Sequence, residues 1–228
     1  MPRVSREQTD LNHDLIEQAS ARLFRERGIG GVSVAELMAA AGLSHGGFYG
    51  HFESKDALAA AACRRAFSES AARWRKHAKS GADDRARLAA IVDNYLSSKH
   101  RDQPGAGCAA VALATDVARE PAGKPVRAAY ADGVRELVDT LAALRPEAAP
   151  SSGTTASTDA ALLADAAPLP DTGKPAPDAR HRAALVQVAT LVGALTLARA
   201  TEGDALSDDI LAAVRAHFQN PASDGDPA

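Results

Sequence analysis

Two stretches of the sequence are dense in side chains that can do chemistry. Residues 43–55 read LSHGGFYGHFESK, and they set His45, Tyr49, His51 and Lys55 among Gly46, Gly47 and Gly50. Residues 105–117 read GAGCAAVALATDV, with Cys108 behind two glycines. The first set offers hydrogen-bond donors, rings and one cation, a combination suited to phosphate and base edges. Its glycines are costly, since each one inside a helix loses about 1 kcal/mol relative to alanine. What they return is a backbone that an outside surface can approach closely. The second set suits thiol chemistry. Free N–H groups and the helix dipole at a helix amino end favour a thiolate, and Gly105 and Gly107 are expected to leave the sulfur uncrowded. Each set also has a plainer reading: solvated histidines in the first, an inert buried cysteine in the second.

Nothing else in the chain reads as catalysis. There is no glycine-rich phosphate loop, no Gly-x-Ser-x-Gly and no His-Glu-x-x-His. His77, His100, His181 and His217 lack metal-ligand spacing, and the carboxylates are scattered over amphipathic stretches. No catalytic residue, metal or cofactor is assigned, and an enzyme is not expected.

These residues must be positioned by helices. The 228-residue chain is rich in alanine, poor in aromatics and repeats its apolar residues at helical spacing. The fold class is therefore all-α, with about nine helices. The first helix spans 9–27, with Leu15, Ile16, Ala19, Leu23 and Phe24 on one face and Gly28 as its C-cap. Ser33 and Glu36 have capping-box spacing, which starts a second helix at Val34. Gly42 makes a turn, Ser44 caps a third helix over the opening stretch, and Ser54 caps a fourth that reaches Lys79. Two short helices joined through a glycine turn are the signature of a helix-turn-helix, whose second helix reads the major groove. Phe48 and Phe52 are expected to face inward and Tyr49 outward.

Charge agrees with a reading head at one end. Residues 1–80 hold 12 Lys/Arg against 9 Asp/Glu, and the rest of the chain 14 against 20, so a net charge of −3 hides a mildly basic first third. The two cysteines, Cys63 and Cys108, form no Cys-x-x-Cys pair. The N-terminus has no apolar signal core, and the apolar run at 183–198 is short for a membrane span. A soluble cytoplasmic protein with no membrane partner is expected.

Residues 9–58 resemble the TetR family of repressors. The match lies in "LF" before Gly28, a capped second helix, "AGLS" at 41–44, an aromatic-rich third helix and Phe52-Glu53-Ser54-Lys55 opening the fourth. The resemblance covers about a quarter of the chain. It implies that Ser33, Ser44, His45, Gly46, Gly47, Tyr49, His51 and Lys55 contact operator DNA. Ser33 and Lys55 would meet phosphates, and His45, Gly46 and Tyr49 the bases. Few Arg, Asn or Gln side chains sit in the reading helix, so the operator sequence is not legible. Around Cys108 the chain also resembles the N-ethylmaleimide repressor subgroup, in which the matching cysteine senses electrophiles.

Two domains follow: a helix-turn-helix domain over 1–55, and a ligand-binding and dimerisation domain over 56–220. In the second, helices are expected at 84–98, 105–120, 126–144, 179–200 and 207–219. A flexible loop rich in Pro, Ser, Thr and Gly spans 146–178, with a brief turn at 160–166, and a disordered tail covers 221–228. Trp74, Tyr95, Cys108, Tyr130 and Leu191 are pocket candidates for a small-molecule effector, with core packing as the alternative. Leu185, Val188, Val192, Leu195, Ile210, Leu211, Val214 and Phe218, on the last two helices, are the candidate homodimer interface. Three functions fit: a repressor that binds palindromic operator DNA and is released by an effector, a redox or electrophile sensor triggered at Cys108, or a helical interaction protein without DNA binding.

Overall fold

The computed structural model describes residues 6–144 and 178–220. Among the described residues every regular element is a helix. The α-helices are α1 (Arg6–Arg27), α2 (Val34–Ala40), α3 (Lys55–Ala78), α4 (Asp84–Tyr95), α5 (Ser98–Asp102), α6 (Ala109–Arg119), α7 (Pro125–Ala142), α8 (Ala179–Ala200) and α9 (Ala205–Gln219). Short 3-10 turns cover His45–Gly50 and Pro104–Ala106. The expected loop, its turn at 160–166 and the tail lie outside the described residues. Only Asp178 of the loop is described, and its carboxylate caps α8 by accepting from the His181 N–H (2.7 Å).

Several elements differ from the sequence expectation, each for a local reason. The third helix is a six-residue 3-10 turn, because three glycines weaken the α-helical alternative. Ser44 stands at its N-cap position without making a side-chain cap bond. The helix expected to reach residue 98 stops at Tyr95. There the Ser97 hydroxyl donates to the Asn94 carbonyl (2.8 Å) and accepts from the His100 N–H (3.2 Å), which starts α5. The helix expected from residue 105 begins at Ala109, after a turn opened by Pro104. Leu15, placed on the inner face of α1, is 43% exposed, while Ile16, Ala19, Leu23 and Phe24 are buried.

The core is one contiguous cluster running from Ile16 in α1 to Leu211 in α9. α3 begins at Lys55, next to the boundary expected between head and body, and runs unbroken through the body. α3 packs most extensively against α7. Gly133 makes their close approach possible: a Cβ there would stand 2.1 Å from the Phe67 ring. Tyr130, one turn earlier, meets the same ring edge-on at 5.3 Å between centroids. Cys63 is fully buried on α3, and burial pushes its thiol up to about 12 despite the neighbouring Arg64.

α8 lies across α7, α9 and α6 and buries Ala184, Val188, Leu191, Ala194, Leu195 and Ala198. It spans the 179–200 expected from the sequence, and although the apolar run at 183–198 reads as short for a membrane span, the whole 22-residue helix is long and apolar enough to cross one by length and composition alone. A helix covered on several faces by protein meets the same test.

Candidate nucleic-acid interface and effector cavity

The exposed end of the head is built on two anchors. Phe48 and Phe52 are buried and stack at 6.1 Å, and His13 of α1 stacks on Phe52 at 4.4 Å. The 3-10 turn is thus pinned from beneath by its apolar rings. Gly42 at φ +74° supplies the turn that leads into it, a conformation costly for other residues. Above the anchors, Ser44, His45, Gly46 and Gly47 are exposed, and Tyr49 is 76% exposed with its ring edge-on to Phe48 at 5.2 Å. Among the described residues, nothing lies within 4 Å of where a Cβ at Gly46 or Gly50 would be. The fold itself does not require those glycines, and what they leave open is the outer surface of the turn.

The flanking positions differ in how far they are committed. Lys55 is the first residue of α3, where Ser54 caps the helix by accepting from the Ala57 N–H (3.1 Å). A lysine at the positive end of a helix works against the dipole, and an incoming phosphate would satisfy both. Ser33 is already engaged. Its N–H and hydroxyl both donate to the Glu36 carboxylate (2.8 and 2.7 Å), and Arg27 pairs with the same group at 2.6 Å. These bonds, the Ser33 N–H first and Arg27 next, hold Glu36 down to about 2. A phosphate contact from Ser33 must therefore come at the expense of its capping box. His51 is half-buried, and its Nδ1 has no hydrogen-bond partner among the described residues.

A cavity of about 240 Å³ lies in the body between α3, α4, α5 and the amino end of α6. It brings together Trp74, Tyr95 and Cys108 of the five pocket candidates. Tyr130 and Leu191 fall elsewhere: the Tyr130 hydroxyl donates to the Ala110 carbonyl (2.7 Å), and Leu191 is fully buried core. His100 is fixed at the cavity's edge. Its Nδ1 lies 2.7 Å from the Tyr95 carbonyl, and its Nε2 accepts from the Cys108 N–H at 3.0 Å. A carbonyl only accepts and an N–H only donates, so the ring is neutral with its proton on Nδ1. Burial, with the charges of Arg199 and Arg73, lowers its pKa to about 4.

The glycines beside Cys108 do not leave its sulfur open. Cys108 is 1% exposed at the N-cap of α6. A Cβ on Gly107 would meet Arg199 and one on Gly105 would meet Glu26, so these glycines admit close packing. The loop they belong to is held by arginines. Arg25 donates to the Gly105 carbonyl (2.7 Å), Arg73 to that of Gly107 (3.0 Å), and Arg199 to those of His100 and Arg101 (2.9 and 3.1 Å). Arg25 comes from α1, so the cavity wall is tied directly to the head. A second tie joins α6 to the head, where the Ile29 N–H donates to Asp116 (2.6 Å).

Residues 16–62 match the model for bacterial regulatory proteins of the tetR family. Over these residues the chain is similar to the TetR family. The HTH-type transcriptional repressor KstR2 of Rhodococcus jostii (strain RHA1) is 36% identical over 73 residues, which is 32% of this chain. The match spans only about a third of that repressor's length, 36%. Solved structures share the fold over nearly the whole chain. Reduced E. coli NemR aligns with a TM-score of 0.67 at 22% identity, covering 92% of this chain and 95% of its own. A TetR family regulator from Cytophaga hutchinsonii gives 0.68 at 18%, covering 99% and 100%.

The candidate interface residues divide between two roles. Val188, Leu195 and Leu211 are buried within the protomer and serve its own core. Val192, Ile210, Val214 and Phe218 are half-buried at its margin, and Leu185 is exposed. The exposed apolar residues of α8 and α9 are instead Leu185, Val186, Leu197 and Leu206. A helix that is apolar all round gives no sequence signal for which face turns outward. Arg73 and Arg199 were missed as cavity and loop residues. Arg199 had a readable signal, as the charge at the end of an otherwise apolar run; Arg73 had none, lying on an ordinary charged helix.

Proposed function

We propose that the chain is a cytoplasmic transcriptional repressor that binds palindromic operator DNA as a homodimer and is released by a small-molecule effector. The observation that carries this reading is the turn at 45–50. Its aromatic anchors point in, and Tyr49 and two unhindered glycines point out, beside a lysine at a helix amino end. That surface suits close approach to a duplex, with Lys55 as a phosphate contact and Tyr49 nearest the bases. A half-site bound by one copy alone would be weak, so two copies one helical turn apart are required. Apolar residues left exposed on α8 and α9 supply a face for the second copy. The ties from the cavity wall to α1 give an effector a route to the head. Such an effector acts only through its different affinity for the DNA-competent and DNA-incompetent arrangements.

The test is operator binding after selection of DNA fragments by the purified protein. Tyr49→Ala should weaken binding by about 1–3 kcal/mol. Lys55→Ala should weaken it on all sequences and flatten the salt dependence by about one unit of slope. Both variants should keep wild-type helicity. Parental binding by both would remove the head from DNA and favour an interaction protein.

A second reading has Cys108 as a covalent trigger, favoured by its position on the cavity wall at the amino end of α6. In that case alkylation of the wild type releases operator and Cys108→Ser resists. Equal release from both leaves the reversible effector.

A further inference from the structure

The cavity behind Trp74 has an unbalanced charge. Arg73 is half-buried on its wall and donates to the Ser70 hydroxyl (3.2 Å) and the Gly107 carbonyl (3.0 Å), both neutral. No carboxylate lines the cavity among the described residues. Glu69 attracts Arg73 from further off, but Glu69 is already paired with Arg25 (2.9 Å) and Arg65 (3.4 Å). A guanidinium half drawn out of water with only a shared carboxylate in reach is costly, and burial, with the nearby Arg25 charge, lowers the Arg73 pKa. His77 and Lys99 add further cationic capacity to the lining.

A second, independent observation concerns Tyr95. Tyr95 is 2% exposed and lines the same cavity, and its hydroxyl has no hydrogen-bond partner among the described residues. It lies against the Cys108 thiol without a well-formed bond. A buried phenol is normally satisfied, so this donor is set for a guest. The amino end of α6 meets the cavity at Cys108, and no side chain caps it. A guanidinium, a phenol O–H and a helix amino end all favour an acceptor carrying negative charge.

Shape narrows the guest. About 240 Å³ lies below the roughly 300–1,000 Å³ of pockets for drug-sized ligands. One wall is aromatic: the Trp74 and Tyr95 rings meet edge-on at 5.6 Å. We propose that this cavity takes a small planar carboxylate, held through its anionic oxygens by Arg73 and the Tyr95 hydroxyl, with its flat body against Trp74. The proposal rests on the effector-responsive reading above and names the effector's chemical class.

Trp74 is the only tryptophan in the chain, so its emission reports directly on this wall. Benzoate is the probe, and benzamide is its neutral counterpart of the same shape. The full-length protein should show a saturable emission change with benzoate that dialysis reverses, and none with benzamide at equal concentration. Arg73→Gln should weaken benzoate by roughly tenfold or more, the scale of a lost charge-assisted hydrogen bond. Arg73→Lys, which keeps the charge, should retain more of the affinity, and circular dichroism checks that both variants fold. Absence of a saturable change, equal binding of benzamide, or wild-type benzoate affinity in a folded Arg73→Gln each overturns the assignment. Operator binding is measured separately on the same protein. Benzoate binding without operator binding defeats the repressor reading and leaves the cavity assignment standing; operator binding without benzoate binding does the reverse.

Discussion

The turn at 45–50 and the cavity behind Trp74 are built on opposite plans. The turn at 45–50 is assembled from consecutive residues, with its apolar rings buried and its polar groups left outside. The cavity takes Trp74 from α3, Tyr95 from α4, His100 from α5 and Cys108 from the start of α6, and it holds charge and hydroxyl groups inside. On the proposed function the turn would face a partner much larger than itself, for which a rigid base and an open surface suffice. On the same proposal the cavity would enclose a small partner, and it bears the cost of desolvating polar groups before such a guest arrives. Polar groups withheld from water mark the second kind of site, and groups left in water mark the first.

The sharpest way to break this contrast is at the last two helices, where buried core residues alternate with exposed apolar ones. Leu211→Glu places a carboxylate in the protomer core, where Leu211 is 3% exposed. It should cost about 4 kcal/mol or more and abolish cooperative unfolding, with no folded monomer to collect. Val186→Glu changes a residue that is 66% exposed on α8. It should leave helicity and melting temperature close to wild type while sedimentation shows monomers and operator affinity falls. A dimeric Val186→Glu protein would move the interface to another face.

What was legible in the sequence follows the same division. Caps, turns and anchors of the head are local, so Ser33, Gly42, Phe48 and Phe52 could be placed from spacing alone. The all-α class was legible from periodicity. The 3-10 character of the reading turn was not, although its three glycines carried the warning. The cavity was only partly legible: Trp74, Tyr95 and Cys108 were picked for their chemistry, and Tyr130 and Leu191 by the same rule proved to be hydrogen-bonded or plain core. No local signal brings Arg73 and His100 to one wall, because that requires α3 to cross the 97–108 segment. The faces of α8 were illegible for a related reason. When most positions are apolar, only the neighbours decide which are covered.

Packing at the α3–α7 crossing offers a smaller effect. Gly133→Ala adds a methyl where the Phe67 ring already stands 2.1 Å from the Cβ position. The ring must shift or the helices must part, which should lower stability by about 1–3 kcal/mol. Alanine's better helix propensity offsets about 1 kcal/mol of this at most. The effect is read as a lower denaturant midpoint with an unchanged slope. Operator and benzoate affinities should stay at wild-type values wherever the variant is folded, because Gly133 belongs to neither site. A stability equal to wild type would mean that the crossing is looser than the close approach of Phe67 implies.

The smallest effect separates the cavity from the head by pH. His100 is held neutral between the Tyr95 carbonyl and the Cys108 N–H, with its pKa lowered from 6.5 to about 4. The unfolded chain therefore takes up a proton near pH 6.5 that the folded chain refuses until near pH 4. Stability from this site is fully present above pH 6.5 and is lost as pH falls from there toward 4. Between pH 7.5 and 5.5 the loss should be about 1 kcal/mol. Protonation would also remove the acceptor that holds the Cys108 N–H, so the cavity wall should loosen as the ring charges. His100→Gln keeps a possible acceptor and cannot titrate. Urea midpoints across this range should fall more steeply for the wild type than for His100→Gln, since carboxylates and the other histidines contribute equally to both. Parallel curves would show that His100 gains its proton as easily folded as unfolded, and the neutral bridge between α4 and α6 would then be wrong.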